Sequence, residues 1–223
     1  SRQKRQLDPL TLNLSLHNQP IAQVAKHKLL GVTIDKDLKW QYHIDNVCKS
    51  VSRNLYLLSK LKSFVDVSSR LMFYDAHIKS HIDYISTVWD GCDDVHLRRL
   101  NSLHRRAAKL ILPDTNMSTD QKLYELDILP LQEHLLFNKG SMMFKVHRGK
   151  LPQYICHLFA KQSSRYTAHR QRFVLPKPRR DFYKASLSFS GADLWNQLPQ
   201  SVTSASSLPV FKGRLHKHLM RPP

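Results

Sequence analysis

Five Arg and Lys side chains crowd the segment VHLRRLNSLHRRAAKLIL. At 100° per residue they fall within an arc of roughly 120° on a predicted helix over residues 94–112, opposite Leu100 and Ala107. Their chemistry is phosphate binding, because clustered cations repel each other unless an anion lies nearby. No acidic residue lies between Arg98 and Leu112, so phosphate contact is predicted, with a solvated helix face as the alternative. The five cations are Arg98, Arg99, Arg105, Arg106 and Lys109.

A second cationic stretch, residues 161–185, has a different pattern. It carries eight Lys and Arg residues and one Asp, with Pro, Ser and aromatic residues between them, and it lacks helical periodicity. We predict an extended basic linker whose charges bind a nucleic-acid backbone while its aromatic rings stack on unpaired bases. A basic tether without such contacts is the alternative. The rings belong to Tyr166, Phe173, Phe182 and Tyr183, and the cations are Arg165, Arg170, Arg172, Lys177, Arg179 and Arg180.

The carboxylates and histidines of the chain do not predict a catalytic centre. Asp93 and Asp94 form the most suggestive acidic pair, but they directly precede the basic helix, where acidic side chains interact favourably with the helix dipole. His77 and His81 have an i, i+4 spacing suited to zinc, but no third ligand follows at a metal-site spacing. We therefore predict no catalytic residue and no metal ligand in this chain.

The composition favours a nucleic-acid partner for the chain as a whole. Thirty-five Lys and Arg residues oppose 17 Asp and Glu among 223 residues, which gives a net charge of +18. RNA or DNA is therefore the first candidate partner, and an anionic membrane surface is the second. Three separated cysteines predict reduced thiols in an intracellular protein, and no apolar run is long enough for a membrane span. The N-terminal residues read as a cut inside a longer protein.

Apolar periodicity predicts the elements that position these residues. Residues 10–35 alternate apolar and polar side chains, which indicates a small β-element. Residues 44–61 follow helical spacing, and Ser68 and Ser69 are suited to cap a second helix over residues 69–81. The inward side chains of that second helix are predicted to be Leu71, Met72, Ile78 and Ile82.

Further helical patterns fill the second half of the chain. Ser118 and Gln121 resemble a capping box at the start of a short helix near residues 119–126. Helices are also predicted over residues 131–147 and 152–160, and within SGADLWNQLP and SLPVFKGRLHKHLM. The predicted fold is mainly α, with a short N-terminal β-hairpin, a multi-helix bundle and further C-terminal helices.

Five motifs in order carry a family resemblance that covers residues 28–220. LLGVTIDKDLKWQYHI resembles the strand LGV-x-[IL]-D and the following L-x-W-x-x-HI of non-LTR retrotransposon reverse transcriptases of the LINE-type, jockey-like class. LMFYDAHIKSHIDYISTVWDG resembles that family's LY-x-x-x-I-x-P-x-x-x-Y-x-x-x-VW, with Ser80-His81 where Pro is usual. LRRLNSLHRRAAKLIL resembles L-x-x-L-x-x-x-Q-x-R-A-x-R-x-I, with His104 at the common Gln position. SFSGADLWNQLP and SSLPVFKGRLHKHL resemble the usual C-terminal end.

The resemblance implies that the chain is the C-terminal part of such an RNA-directed DNA polymerase. The catalytic aspartates and the Mg²⁺ ions that they hold would lie upstream in the palm. This chain alone is therefore expected to be inactive and to need no cofactor of its own. The implied parts are the end of the palm (1–40), a helical thumb (41–112), a C-terminal helical region (113–160), the basic linker (161–185) and a helical tail (186–223).

The same resemblance implies site residues and partners. Arg53, Lys60 and Lys62 would join the basic face of the 94–112 helix in holding a template–primer duplex. The expected partners are RNA, DNA and the preceding palm and fingers of the same polyprotein, without a membrane, and the expected compartment is the nucleus. The alternative is a stand-alone basic helical module derived from a truncated element, which binds nucleic acid or protein. The residues assigned to primer-end support are Leu30, Gly31, Val32 and Trp40.

Overall fold

The computed structural model describes residues 14–113, 116–162, 172–178, 181–220 and 222. Two short antiparallel hairpins come first: β1 (Ser15–Leu16) pairs with β2 (Gln19–Pro20), and β3 (Lys26–Leu29) pairs with β4 (Val32–Asp35). β4 buries Val32 and Thr33 beside the first helix, whereas every residue of β3 is exposed. The predicted β-element is confirmed from Ser15 onward, and residues 10–13 lie outside the described part.

The predicted strand through Leu30-Gly31-Val32 is wrong, because only Val32 belongs to a strand. Leu30 and Gly31 connect β3 to β4 with φ values of +47° and +84°. Two successive positive φ values are typical of the two-residue hairpin turn whose twist matches that of the flanking strands. The Tyr84 hydroxyl donates a hydrogen bond of 2.5 Å to the Leu30 carbonyl oxygen and ties this turn to the helices.

Asp35 organises the loop that leads into the first helix. Its buried carboxylate accepts hydrogen bonds from the amides of Asp37 and Lys39, both at 3.1 Å, and from the amide of Trp40 at 2.9 Å. Leu38 and Trp40 have φ values of +51° and +62°, which non-glycine residues seldom adopt. The three hydrogen bonds stabilise this loop, so the DKD sequence is a carboxylate-centred turn.

The first hydrophobic core is formed by helices of the first half of the chain and the start of α7. These elements are α1 (Gln41–Leu61), α2 (Val67–Tyr74), a π-turn (Asp75–Lys79), α3 (Ser80–Asp83), α4 (Ser86–Trp89), α5 (Asp94–Ile111) and α6 (Thr119–Glu125). The carboxylate of Asp66, not Ser68 or Ser69, caps α2 by accepting from the Ser69 amide at 2.9 Å. Met72 is 69% exposed, and Tyr74 takes the inward position instead.

The second core is formed by the C-terminal helices. They are α7 (Leu131–His147), α8 (Gln153–Cys156), α10 (Leu187–Gln197), α11 (Gln200–Thr203) and α12 (Leu208–Leu219), while the short α9 (Asp181–Lys184) precedes α10 and contributes no core residue within the described part. α7 belongs to both cores, because Leu131 and Leu135 pack in the first, while Met143 and Phe144 pack in the second. α8 is shorter than the predicted helix over 152–160. The mainly α fold class is confirmed.

Polar contacts along α7 join the two halves. Lys139 forms a buried ion pair with Asp90, with 2.8 Å between Nζ and Oδ2. His134 pairs with Asp83, and Asn138 donates to the same carboxylate at 2.8 Å. Within the described ranges, no helix is both long and apolar enough to span a bilayer.

Candidate nucleic-acid interface

Two cations on the cationic face of α5 pair with carboxylates from other parts of the chain. Arg99 donates to Asp45 of α1 at 2.5 Å. Arg105 donates to both carboxylate oxygens of Asp120, at 2.5 and 3.2 Å. Distant parts of the chain therefore supply carboxylate partners to two of the five cations, one at each edge of the face.

The middle of that face keeps three exposed cations. Arg98, Arg106 and Lys109 are exposed, and none of them has a carboxylate partner within the described residues. The side chain of Arg98 contacts its own helix through a 3.4 Å hydrogen bond to the Asp94 carbonyl oxygen. These three side chains are available to phosphate groups, whereas Arg99 and Arg105 also stabilise the bundle.

α1 presents a second cationic surface, which the sequence analysis found only in part. Five side chains share an arc of about 60° on the solvent side of α1, at 100° per residue. They are Tyr42, Lys49, Arg53, Tyr56 and Lys60. All five are exposed, and the Lys60 ammonium lies 5.5 Å from the Tyr56 ring centroid. The alternation of rings and cations suits a polyanion with aromatic bases. Their spacings of seven, four, three and four residues are a sequence signal that was missed for Tyr42, Lys49 and Tyr56.

The two cationic surfaces lie on neighbouring parallel helices. The Arg99–Asp45 pair joins α1 and α5 near their N-terminal ends. Arg70 joins the opposite ends, because it donates to the carbonyl oxygens of Val65, at 3.1 and 2.9 Å, and of Ile111, at 3.0 Å. At 1.5 Å per residue, the shared surface is about 30 Å long. We name it the α1–α5 face, formed by the exposed cations Lys49, Arg53, Lys60, Arg98, Arg106 and Lys109. Lys62, also predicted to bind, is half-buried just beyond α1.

The residues assigned to primer-end support do not share one surface. Leu30 is 79% exposed at the hairpin turn, whereas Val32 is buried against α1. Trp40 is half-buried, packs against the first core and lines a cavity of about 610 Å³ with Val88 and Leu187. These positions favour a packing role for Trp40.

The 161–185 segment is only partly described. Arg172 and Lys177 are exposed, but Phe173 is buried among Phe159 and Trp195, so its predicted stacking on bases is wrong. A backbone bridge between Lys161 and Phe173 joins the start of this segment to its middle. Arg165, Arg170, Arg179 and Arg180 lie outside the described residues, as does Tyr166.

The acidic and histidine pairs do not fit a metal site. Asp93 and Asp94 occupy the N-cap and first turn of α5, and His77 and His81 are exposed. No group of three His, Cys, Asp or Glu side chains in the described part of the chain could hold a metal ion. The Asp93–Asp94 and His77–His81 pairs therefore do not fit a site for the two Mg²⁺ ions, which the family resemblance places in the palm.

His104 has a structural role that the sequence did not reveal. Its Nε2 donates to the Leu129 carbonyl oxygen at 3.0 Å, because that oxygen is only an acceptor. In the neutral ring, Nδ1 accepts from the Tyr74 hydroxyl at 3.2 Å. Burial lowers the pKa of His104 to about 4. The ring connects α2, α5 and the segment before α7.

Comparison with known proteins gives a distant match. No protein-family model matches the chain, and no solved structure matches it. A probable RNA-directed DNA polymerase from the transposon X-element of Drosophila melanogaster is 25% identical over 114 residues. The match covers 47% of this chain and 12% of the length of that protein. The chain is therefore distantly similar to an RNA-directed DNA polymerase of a transposable element.

Proposed function

We propose that this chain is the end of the palm, the thumb and the C-terminal region of a LINE-type, jockey-like reverse transcriptase. In this proposal it binds the template–primer duplex and RNA or target DNA, while the preceding palm of the same polyprotein holds Mg²⁺ and carries out polymerisation in the nucleus. The order of the five motifs and the distant similarity to a transposon polymerase support this assignment.

The α1–α5 face is the observation that carries the binding function. It places six exposed cations on two parallel helices over about 30 Å, and none of the six has a carboxylate partner among the described residues. Such a surface binds phosphates by releasing condensed counterions, so affinity depends steeply on salt and little on sequence.

The C-terminal half is proposed to add affinity. Residues 128–223 contain 16 Lys and Arg residues but only three acidic residues, whereas residues 1–127 contain 19 and 14. A strongly basic second half adds positive potential, which favours binding of a polyanion.

Neutralising the unpaired centre of α5 tests the binding surface. In the triple variant Arg98→Gln, Arg106→Gln and Lys109→Gln, we expect the slope of log K against log salt for duplex DNA to become shallower by about 2–3. Titration by fluorescence anisotropy between 50 and 300 mM salt measures this slope. The matched control, Arg99→Gln with Arg105→Gln, removes cations that already have carboxylate partners and should change the slope less. An unchanged slope in the triple variant would show that the face does not bind phosphates.

The stand-alone binding module is a second candidate. It is favoured by the two hydrophobic cores that the described helices of this chain form with one another. The reverse transcriptase and the nucleic-acid-binding form of the module both predict that the purified chain binds nucleic acid. Both also predict no primer extension with Mg²⁺, because no metal-binding group of side chains occurs in its described part. Extension of a labelled primer by the purified chain would contradict both candidates. Restored extension on adding the preceding palm segment would favour the reverse transcriptase.

A further inference from the structure

The turn between α1 and α2 presents an unusually exposed aromatic ring. Phe64 is 85% exposed, more than any other large apolar side chain in the described part. Leu57 and Leu61 of α1 are also exposed at this end of the bundle. An isolated surface phenylalanine needs no explanation, but one that closely follows further exposed apolar side chains on the adjoining helix is a candidate contact site.

The backbone of this turn is held rigidly. The Phe64 amide donates to the Leu61 carbonyl oxygen at 2.8 Å. On the other side of Phe64, Arg70 donates two hydrogen bonds to the Val65 carbonyl oxygen and a third to Ile111. Asp66 then caps α2. Phe64 is therefore a fixed protrusion, and binding through it costs little backbone entropy.

The charge around Phe64 indicates what the ring contacts. Lys60 and the half-buried Lys62 precede Phe64 by four and two residues, and the exposed Tyr56 ring lies 5.5 Å from the Lys60 ammonium. The nearest acidic residue in sequence, Asp66, has its carboxylate engaged by the Ser69 amide. Arg70 also brings the end of α5 to this turn, so Phe64 lies at the same end of the α1–α5 face as Lys109. Aromatic rings beside cations suit bases and phosphates, respectively.

We propose that Phe64 is a wedge that stacks on an unpaired or terminal base of the nucleic acid bound along the α1–α5 face. The inference rests on the proposed nucleic-acid binding and adds a preference for a duplex that carries an unpaired base. The apolar ring replaces the stacking partner that such a base has lost, while the neighbouring cations hold the phosphates on either side. A fully paired duplex without an accessible end offers the ring no such partner.

A pair of DNA ligands tests the wedge. One is a hairpin-closed duplex with every base paired, and the other has the same sequence with a single unpaired 2-aminopurine. We expect the wild-type chain to quench 2-aminopurine fluorescence and to bind the second ligand about 10-fold more tightly. Phe64→Ala should remove both effects and leave the salt slope unchanged, because an apolar contact releases no counterions. Phe64→Trp should retain the preference.

Two controls separate the possible failures. Tyr154→Ala removes another exposed ring, 73% exposed on α8, and should retain the preference. Circular dichroism should show the same melting temperature for Phe64→Ala and the wild type, since the side chain is exposed.

If the wild type binds neither ligand, the proposed function fails and the wedge with it. If the wild type binds with the expected salt slope but Phe64→Ala keeps both the quenching and the preference, only the wedge is wrong. Loss of self-association in Phe64→Ala, with unchanged nucleic-acid binding, would instead assign Phe64 to a protein interface.

Discussion

Replacing Lys139 with Met is expected to lower the free energy of unfolding by about 3–5 kcal/mol. The Lys139 ammonium lies 2.8 Å from the Asp90 carboxylate, and the two side chains are 10% and 4% exposed. Asp90 Oδ1 is buried and has no hydrogen-bond partner among the residues that the structure describes. Methionine keeps most of the volume of lysine but leaves Asp90 as an unpaired buried charge. The change in the midpoint of urea unfolding measures the loss.

The carboxylate itself provides the control. Adding Asp90→Asn to Lys139→Met removes the buried charge and should recover most of the lost stability. Burial already raises the pKa of Asp90, against the opposing effect of Lys139. Without Lys139 the folded-state pKa rises further above its unfolded value. The deficit of the single variant should therefore shrink as pH falls, because protonation then removes the charge. A deficit that is constant between pH 8 and pH 5 would contradict this explanation.

Acidification is expected to destabilise the protein steeply, and His104 alone should account for about 3 kcal/mol between pH 6.5 and pH 4. Burial lowers its pKa to about 4 in the folded state, whereas the unfolded state binds the proton near pH 6.5. Stability is therefore fully present above pH 6.5 and is lost as pH falls towards 4. Burial also lowers the pKa of His147 to about 4, which adds to the loss. Urea unfolding at several pH values measures the curve.

Glutamine at position 104 is the matched control for acid sensitivity. It is the common residue in the family that the sequence resembles, and its amide group is able to donate to Leu129 and accept from Tyr74 without titrating. His104→Gln should lower the pH dependence between pH 4 and 6.5 by up to 1.36 kcal/mol per pH unit, which corresponds to one proton. An identical acid curve for the variant and the wild type would exclude His104 as a source of the loss.

Local sequence patterns predicted most helices because their causes are local. The capping box of Ser118 and Gln121 is present at the start of α6, and α7 covers the predicted residues 131–147. Leu30-Gly31 was mistaken for a strand because its apolar neighbours satisfy strand periodicity, whereas the backbone folds back there. The end of the helix predicted over 152–160 was also wrong, since α8 stops at Cys156.

Local patterns could not predict which cations of the candidate site lack carboxylate partners and are available to phosphate groups. Arg99 finds its carboxylate 54 residues away, and Arg105 finds its partner 15 residues away. A sequence window around α5 contains neither partner. The rigid presentation of Phe64 likewise depends on Arg70 reaching Val65 and the distant Ile111.

The sequence by itself determined the helical character of the protein and its net charge of +18. It also determined which helix faces are apolar and which are cationic. These properties follow from composition and from periods of a few residues. The tertiary structure decided which charges are paired, since that depends on the helices that α5 packs against. It also placed α1 parallel to α5, which turns separate sets of cations into the α1–α5 face. Finally, it buried Lys139, Asp90 and His104, because α7 packs across both cores and removes water from these polar groups.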